Sequence, residues 1–114
     1  MFWPGADVSS QQPTFNVPFN SSIPYSDRVD QVLSWLDDEE NRPYFITMYF
    51  EGVDHMAHGF GPYAPEVDAE IVRVDEAVNQ LVEGLEDRPF LRNANIVIVS
   101  DHGMAEISPE RSLS

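Results

Sequence analysis

The chain has 114 residues, no cysteine, and a formal net charge of −14 from 20 Asp and Glu against 6 Lys and Arg. That length fits at most one domain of ordinary size, and the lack of cysteine excludes disulfides and thiolate metal sites. The acidity argues against binding a nucleic acid duplex or an anionic membrane through a basic surface. We expect no membrane contact from this segment, since no run approaches the roughly 20 apolar residues of a membrane span.

The first predicted element is an extended loop region over residues 1–24. This region holds four of the nine prolines and many Ser, Asn and Gln residues, a composition that disfavours regular structure. A helix is expected next, with Ser26 as its cap and Asp27 at the positive end of its dipole. Its apolar positions recur at helical spacing: Val29, Val32, Leu33 and Leu36.

A buried strand is predicted over residues 44–50, which are apolar, aromatic and β-branched. A short irregular stretch, residues 53–59, follows it. A long helix is then expected from about Pro65, a residue that suits the first turn. Its predicted apolar stripe consists of Val67, Ile71, Val74, Val78, Leu81 and Leu85.

A second strand is predicted over residues 95–100, which are almost wholly aliphatic. The order helix, strand, helix, strand over residues 25–107 predicts a parallel βαβ unit with a right-handed crossover. Residues 108–114 form a tail. In open α/β sheets, functional sites gather outside the carboxyl ends of the strands, and two chemically suggestive motifs fall at those ends.

Each motif offers one carboxylate and at least one imidazole. Asp54 and His58 follow the first strand, and Asp101 and His102 follow the second, 47 residues later. Asp oxygen and His nitrogen suit a divalent ion such as zinc, and paired metals are a recurring device for cleaving phosphate esters. We expect the loops that hold His58 and His102 to converge.

Neither motif is a complete metal site by itself. Each supplies two protein ligands where catalytic zinc usually takes three, and His55 is the only other histidine. An Asp-His pair after a strand can also simply cap a loop. Ser100 is interpreted as a turn former at a strand end rather than as a nucleophile, so the residues alone leave the metal sites and the capped loops both open.

Short motifs in the sequence indicate a protein family more specifically than the spacing of Asp and His does. Residues 2–8, Phe-Trp-Pro-Gly-Ala-Asp-Val, resemble a stretch of the nucleotide pyrophosphatase/phosphodiesterases, which belong to the alkaline phosphatase superfamily. Residues 19–37 are similar to the next block of that family. Residues 49–62 and Ser-Asp-His-Gly-Met at 100–104 follow in the same order, so the resemblance covers about residues 1–107.

The resemblance implies a role for particular residues. Asp54 and His58 match two ligands of one zinc ion, and Asp101 and His102 match two ligands of a second. Tyr49 matches an aromatic residue near the substrate pocket. Phe19 stands where the family often has a Tyr that stacks on the nucleobase. For both aromatic residues, core packing is the alternative.

The implied fold is α/β, a partial alkaline-phosphatase-like sandwich with parallel βαβ units that is truncated at both ends. The implied activity is hydrolysis of phosphodiester or pyrophosphate bonds in nucleotides, with two divalent ions, Zn²⁺ by resemblance, and release of nucleoside 5′-monophosphates. The family's nucleophilic Thr is expected upstream of Met1, so the 114 residues alone are expected to be inactive. The resemblance also implies an extracellular, membrane-anchored or secretory location.

Two departures and three rival interpretations accompany the resemblance. Ala57 stands where the family often has Gly, which predicts strain in the turn, and further ligands are expected outside the chain. The rivals are another hydrolase or a phosphomutase of the same superfamily, a noncatalytic metal-binding or interaction module, and a truncated gene product. A Cys or Ser nucleophile in place of Thr would distinguish the first.

Overall fold

The computed structural model describes residues 12–107. Within that range it contains helix α1 (Tyr25–Asp37), helix α2 (Gly52–Phe60), helix α3 (Pro65–Glu86) and a short 3-10 helix (Pro89–Leu91). The first block of the family resemblance, residues 2–8, and the predicted tail lie outside the described residues. Residues 12–24 form neither helix nor strand.

Helix α1 begins at Tyr25, with Pro24 rather than Ser26 at its N-cap position. The carbonyl of Pro24 accepts a hydrogen bond from the amide of Arg28 at 3.2 Å, which closes the first turn at Tyr25. Ser26 therefore lies inside the helix, where its hydroxyl donates to Oδ1 of Asp27. The prediction that Ser26 caps the helix is wrong, because the preceding Pro ends the extended chain first.

Helices α1 and α3 run parallel and pack along their length. Two side-chain hydrogen bonds join α1 to α3, Tyr25–Glu70 near the start of α1 and Asp30–Gln80 further along. A third, Asp37–Arg88, joins the end of α1 to the turn after α3. Leu33 of α1 also lies against Gly84 of α3. The buried residues of this interface form the core: Val29, Val32, Leu33, Trp35, Leu36 and Ala77.

Most of the apolar stripe predicted for α3 is buried or partly buried, and Ile71, which is 49% exposed, is the exception. The buried residues of α3 are Val67, Glu70 and Ala77. Both α1 and α2 contact α3, so the covered face also includes a position that is not apolar. A pattern of apolar residues cannot show that a carboxylate such as Glu70 has a partner inside the protein.

No residue in the range 12–107 lies in a β-strand, so the two predicted strands and their βαβ unit are absent from this part of the chain. In the first predicted strand, Ile46, Met48 and Phe50 pack against the core, an alternation typical of extended chain. Burial of the whole run on both faces is wrong, because Tyr44 is fully exposed, Phe45 is 82% exposed and residues 46–50 are only partly buried. The second predicted strand is largely exposed, with Val97 at 79%. A strand exists only through hydrogen bonds to a neighbouring strand, and none of the described segments supplies them.

Candidate functional site

Helix α2 carries the first motif. Sequence analysis placed Asp54 and His58 on an irregular stretch, but residues 52–60 are helical and the two side chains lie one turn apart on one face. Nε2 of His58 is 3.5 Å from Oδ1 of Asp54. Ala57 is also helical and buried. The strain predicted there is absent, since a helix interior suits Ala better than Gly.

The second motif returns to the same place. Nε2 of His102 lies 3.8 Å from Oδ1 of Asp54 and 3.7 Å from Oδ2 of Asp101. The two imidazoles therefore lie within 4 Å of one carboxylate oxygen of Asp54, and Asp101 joins this group through His102. The expected convergence of His58 and His102 is confirmed in these distances, although both segments differ from the predicted secondary structure.

The central oxygen of this group, Asp54 Oδ1, is covered from solvent and accepts no hydrogen bond from the described residues. The Asp54 side chain as a whole is 44% exposed, so the atoms that solvent reaches are those other than Oδ1. A buried carboxylate oxygen without a partner is costly. Its neighbours within 4 Å are imidazole nitrogens, a donor set that suits a divalent cation.

The tautomer of His102 also favours a cation beside Asp54. Its Nδ1 lies 3.0 Å from the carbonyl oxygen of Gly103, to which it donates, so the lone pair of neutral imidazole is on Nε2. That hydrogen bond, followed by the charge of Asp101, raises the pKa of His102. An Nε2 lone pair 3.7–3.8 Å from two carboxylate oxygens is favourable only with a proton or a cation nearby. The donor types of the four side chains therefore suit a dication.

The fit is partial. In residues 12–107, no group of three or more His, Asp or Glu side chains is already arranged to hold a metal ion. Distances of 3.5–3.8 Å between neighbouring ligand atoms show that the side chains share one neighbourhood. They do not show a finished coordination shell.

The two aromatic residues singled out by resemblance contact each other. The ring centroids of Phe19 and Tyr49 are 6.0 Å apart with a 55° interplanar angle, within the range of favourable aromatic pairs. Burial, and then the carboxylates of Asp101 and Asp54, raise the pKa of Tyr49. Tyr49 therefore faces the acidic group, and its hydroxyl stays protonated.

The remaining candidates lie outside this group. His55 is exposed on α2. The hydroxyl of Ser100 donates a short hydrogen bond to the carbonyl of His102. This bond fits the interpretation of Ser100 as a turn former.

Sequence reasoning missed Arg28 and Glu51, which form a bidentate ion pair next to the site. Arg28 is 1% exposed. Its Nη1 and Nη2 donate to the two carboxylate oxygens of Glu51 at 2.8 and 3.0 Å. The hydrogen bond from Arg28 holds the pKa of Glu51 below its usual range. The available signal was positional, since Arg28 falls on the apolar face of α1 beside Val29 and Val32.

A second missed group joins α1, α2 and α3. The hydroxyl of Tyr25 donates to Oε1 of Glu70 at 2.6 Å and accepts from the amide of Gly52 at 3.1 Å. Arg73 pairs with the other oxygen of Glu70 at 2.8 Å. Glu70 also lies on an apolar helix face, so a charge within an apolar stripe was the common signal for both groups.

Comparison with known proteins gives a consistent result. A family model described as type I phosphodiesterase / nucleotide pyrophosphatase matches residues 1–114. The chain is 39% identical over 113 residues to venom phosphodiesterase 2 of Crotalus adamanteus, covering 96% of this chain and 14% of that protein. It is 38% identical over 108 residues to the human ectonucleotide pyrophosphatase/phosphodiesterase family member 1, covering 92% of this chain and 12% of that protein. An uncharacterized pyrophosphatase/phosphodiesterase of Schizosaccharomyces pombe is 38% identical over 112 residues, which are 96% of this chain and 23% of that protein.

The chain thus spans between 12 and 23% of the length of these relatives. No solved structure matches it significantly. The family match covers the whole chain, and the site brings together residues from two of the motifs that carry the resemblance. The chain therefore belongs to the type I phosphodiesterase/nucleotide pyrophosphatase family.

Proposed function

We propose that this chain contributes to an enzyme that hydrolyses phosphodiester and pyrophosphate bonds in nucleotides and their derivatives, releasing nucleoside 5′-monophosphates. Family membership supports the reaction class. The observation that carries the proposal is the convergence of His58 and His102 on the covered oxygen of Asp54, with Asp101 beside His102. A phosphoryl group can be held beside such a cluster only if its negative charge is neutralised locally.

Two divalent ions, Zn²⁺ by family resemblance, would supply that neutralisation and Lewis-acid chemistry. Asp54 and His58 would hold one ion, and Asp101 and His102 the other. Because His102 also lies 3.8 Å from Asp54, Asp54 would be next to both ligand pairs.

Phe19 and Tyr49 are proposed to bind the nucleotide. Their rings contact each other, and Tyr49 faces Asp54 and Asp101, so a base stacked there would extend its phosphate toward the acidic cluster. Phe19 is 40% exposed and so offers a free ring surface. The nucleotide substrate is the proposed partner, whereas the charge of −14 disfavours a nucleic acid duplex.

An extracellular or secretory location is proposed from the similarity to a venom phosphodiesterase and to an ectonucleotide pyrophosphatase/phosphodiesterase. Within residues 12–107, no helix has the length and apolar character needed to cross a bilayer. The sandwich with parallel βαβ units also remains a proposal. The apolar segments 44–50 and 95–100 support it, because their exposed faces could pair with further strands.

A zinc titration of the 114-residue chain, followed by NMR of the imidazole resonances, tests the cluster. We expect the His58 and His102 resonances to shift together and the exposed His55 to serve as an internal control. Asp54→Asn should weaken zinc binding by about tenfold or more. The matched change Asp75→Asn, on the exposed side of α3, should leave binding unchanged. Equal binding by the Asp54→Asn variant would overturn the role of Asp54.

Turnover is tested separately with the nitrophenyl ester of thymidine monophosphate. The 114 residues hold four of the six Asp and His ligands that the resemblance implies, so we propose that they turn over negligibly by themselves. Chelator-sensitive turnover by the pure chain would contradict this. A longer product of the same coding sequence that includes the expected Thr should be active, and zinc binding without turnover in that product would favour a noncatalytic metal-binding module.

A further inference from the structure

The guanidinium of Arg28 is the most completely bonded charged group near the site. Its side chain is buried, yet each of its five N–H directions meets an acceptor. Nε donates to the carbonyl of Ile23, Nη1 to Tyr49 O and Glu51 Oε2, and Nη2 to Asn20 O and Glu51 Oε1, at 2.8–3.4 Å. A buried charge with this many bonds fixes the spacing of whatever it joins.

The segments that Arg28 joins are the two that carry the aromatic pair. Asn20 directly follows Phe19, and the Tyr49 carbonyl belongs to the other ring of the pair. Glu51, which neutralises Arg28, directly precedes α2 and hence Asp54 and His58. One side chain on α1 thus sets where the Phe19 loop, the Tyr49 segment and the start of α2 lie relative to one another.

We propose that Arg28, neutralised by Glu51, is a positioning residue that holds the Phe19–Tyr49 pair against the Asp54 cluster. The positional role of Arg28 follows from the hydrogen bonds alone. Its consequence, that nucleobase binding depends on Arg28, rests on the proposed function. Arg28 donates its hydrogen bonds to backbone carbonyls and to Glu51, not to the side chains of the cluster, so it acts through the backbone and through Glu51.

Removing Arg28 alone would leave the Glu51 carboxylate unpaired in a half-buried place, and Arg28→Met can therefore unfold the chain. The variant Arg28→Met/Glu51→Met removes both charges at similar volume, a replacement that is often tolerated. Arg28→Lys keeps the charge but loses the planar fork. Arg88→Met is the matched control, since Arg88 makes a bidentate pair with Asp37 and donates to the Gly84 carbonyl, away from the cluster.

The first measurement needs no ligand. Nuclear Overhauser contacts between the Phe19 and Tyr49 rings should be lost in the double Met variant and weakened in Arg28→Lys. Contacts between Phe15 and Trp35, whose rings stack in the core, should persist and report an intact fold. Arg88→Met should keep both sets. Persistence of the Phe19–Tyr49 contacts in the double Met variant would overturn the proposal.

The second measurement compares two probes on the zinc-loaded chain, thymidine 5′-monophosphate and inorganic phosphate. The double Met variant should bind the nucleotide about tenfold more weakly, because stacking on the aromatic pair is lost, and should bind phosphate within about twofold of the parent. Equal weakening for both probes would refute a role specific to the aromatic pair. If the parent chain bound neither probe, the proposed function would fail for this chain while the ring contacts would still decide the role of Arg28.

Discussion

Tyr25 shows how much one phenol can hold together. Its hydroxyl links Glu70 of α3 to the first amide of α2, and its ring lies 5.0 Å from the guanidinium carbon of Arg28. Burial, and then the hydrogen bond it donates to Glu70, raise its pKa to about 12. Loss of the Tyr25 proton would place two negative charges side by side between three helices.

This pKa predicts a loss of stability in alkali. A group whose folded pKa is raised stabilises the fold fully below its unfolded pKa of 10.0, and this contribution is lost as the pH rises toward 12. The chain contains no lysine, so tyrosines dominate this range. Denaturant unfolding measured across it should show a steep fall for the parent and a shallower one for Tyr25→Phe. Identical slopes would rule out Tyr25 as the group responsible.

Gly52 is a second position where one atom matters. A Cβ there would collide with Oε1 of Glu70 and the hydroxyl of Tyr25, so the hydrogen-bonded group leaves no room for a side chain. Gly59, in the same helix, has open space around it. The two glycines therefore form a matched pair.

We expect Gly52→Ala to lower the free energy of unfolding by about 2 kcal/mol or more, because overpacking and a broken hydrogen-bonded group both contribute. Gly59→Ala should raise it by about 0.5–1 kcal/mol through helix propensity alone. Chemical denaturation of both variants measures this. A stabilising Gly52→Ala would show that the close approach of Glu70 and Tyr25 is absent in solution.

Among the elements, the parallel pair α1 and α3 depends on one close approach. At Gly84 a Cβ would lie 2.5 Å from Cδ1 of Leu33, so the absence of a side chain at Gly84 makes room for Leu33 of α1. Gly84 therefore has a packing role.

We predict that Gly84→Ala destabilises the fold by about 1 kcal/mol, since the strain of overpacking, about 1–3 kcal/mol, exceeds the gain of about 1 kcal/mol in helix propensity. In a Leu33→Ala background the strain has no source. The same substitution should there become stabilising by about 0.5–1 kcal/mol. A double-mutant cycle by urea unfolding measures the coupling, and additive effects would contradict the contact.

The elements also show why helices were predicted better than strands. Helices α1 and α3 are predictable from the local spacing of apolar residues and from Pro at the start of α3. They are predictable locally because a helix forms its backbone hydrogen bonds within its own segment. Residues 44–50 and 95–100 have strand composition, but a strand takes its hydrogen bonds from a neighbour. Composition cannot report whether such a neighbour is present.

At the scale of the whole molecule, high negative charge opposes a large exposed apolar run. Val97, Ile98 and Val99 are each 73–79% exposed, and a contiguous apolar patch of this kind promotes association. The charge of −14 keeps copies apart by repulsion that salt screens. The balance between the two should therefore shift with ionic strength.

We predict that the 114-residue chain self-associates increasingly as salt is raised, measured by sedimentation at constant protein concentration. Val97→Ser/Val99→Ser should suppress the effect. Val72→Ser, which removes an apolar side chain on α3 that is 56% exposed, is the control and should change little. Association that falls with salt would mean that charge complementarity, not the apolar run, drives it.

From the sequence alone one can predict the family, two of the three helices, and the four Asp and His residues of the site. These features are predictable because short motifs and helical periodicity are local properties of the chain. The tertiary structure alone decided that the first motif is helical, that Asp54 stands at the centre of the cluster, and that Arg28 and Glu70 are buried with partners. Those outcomes depend on contacts between residues that are far apart in the sequence. A buried charge is stable only when such a residue pairs with it, and a local sequence pattern does not show which residue that is.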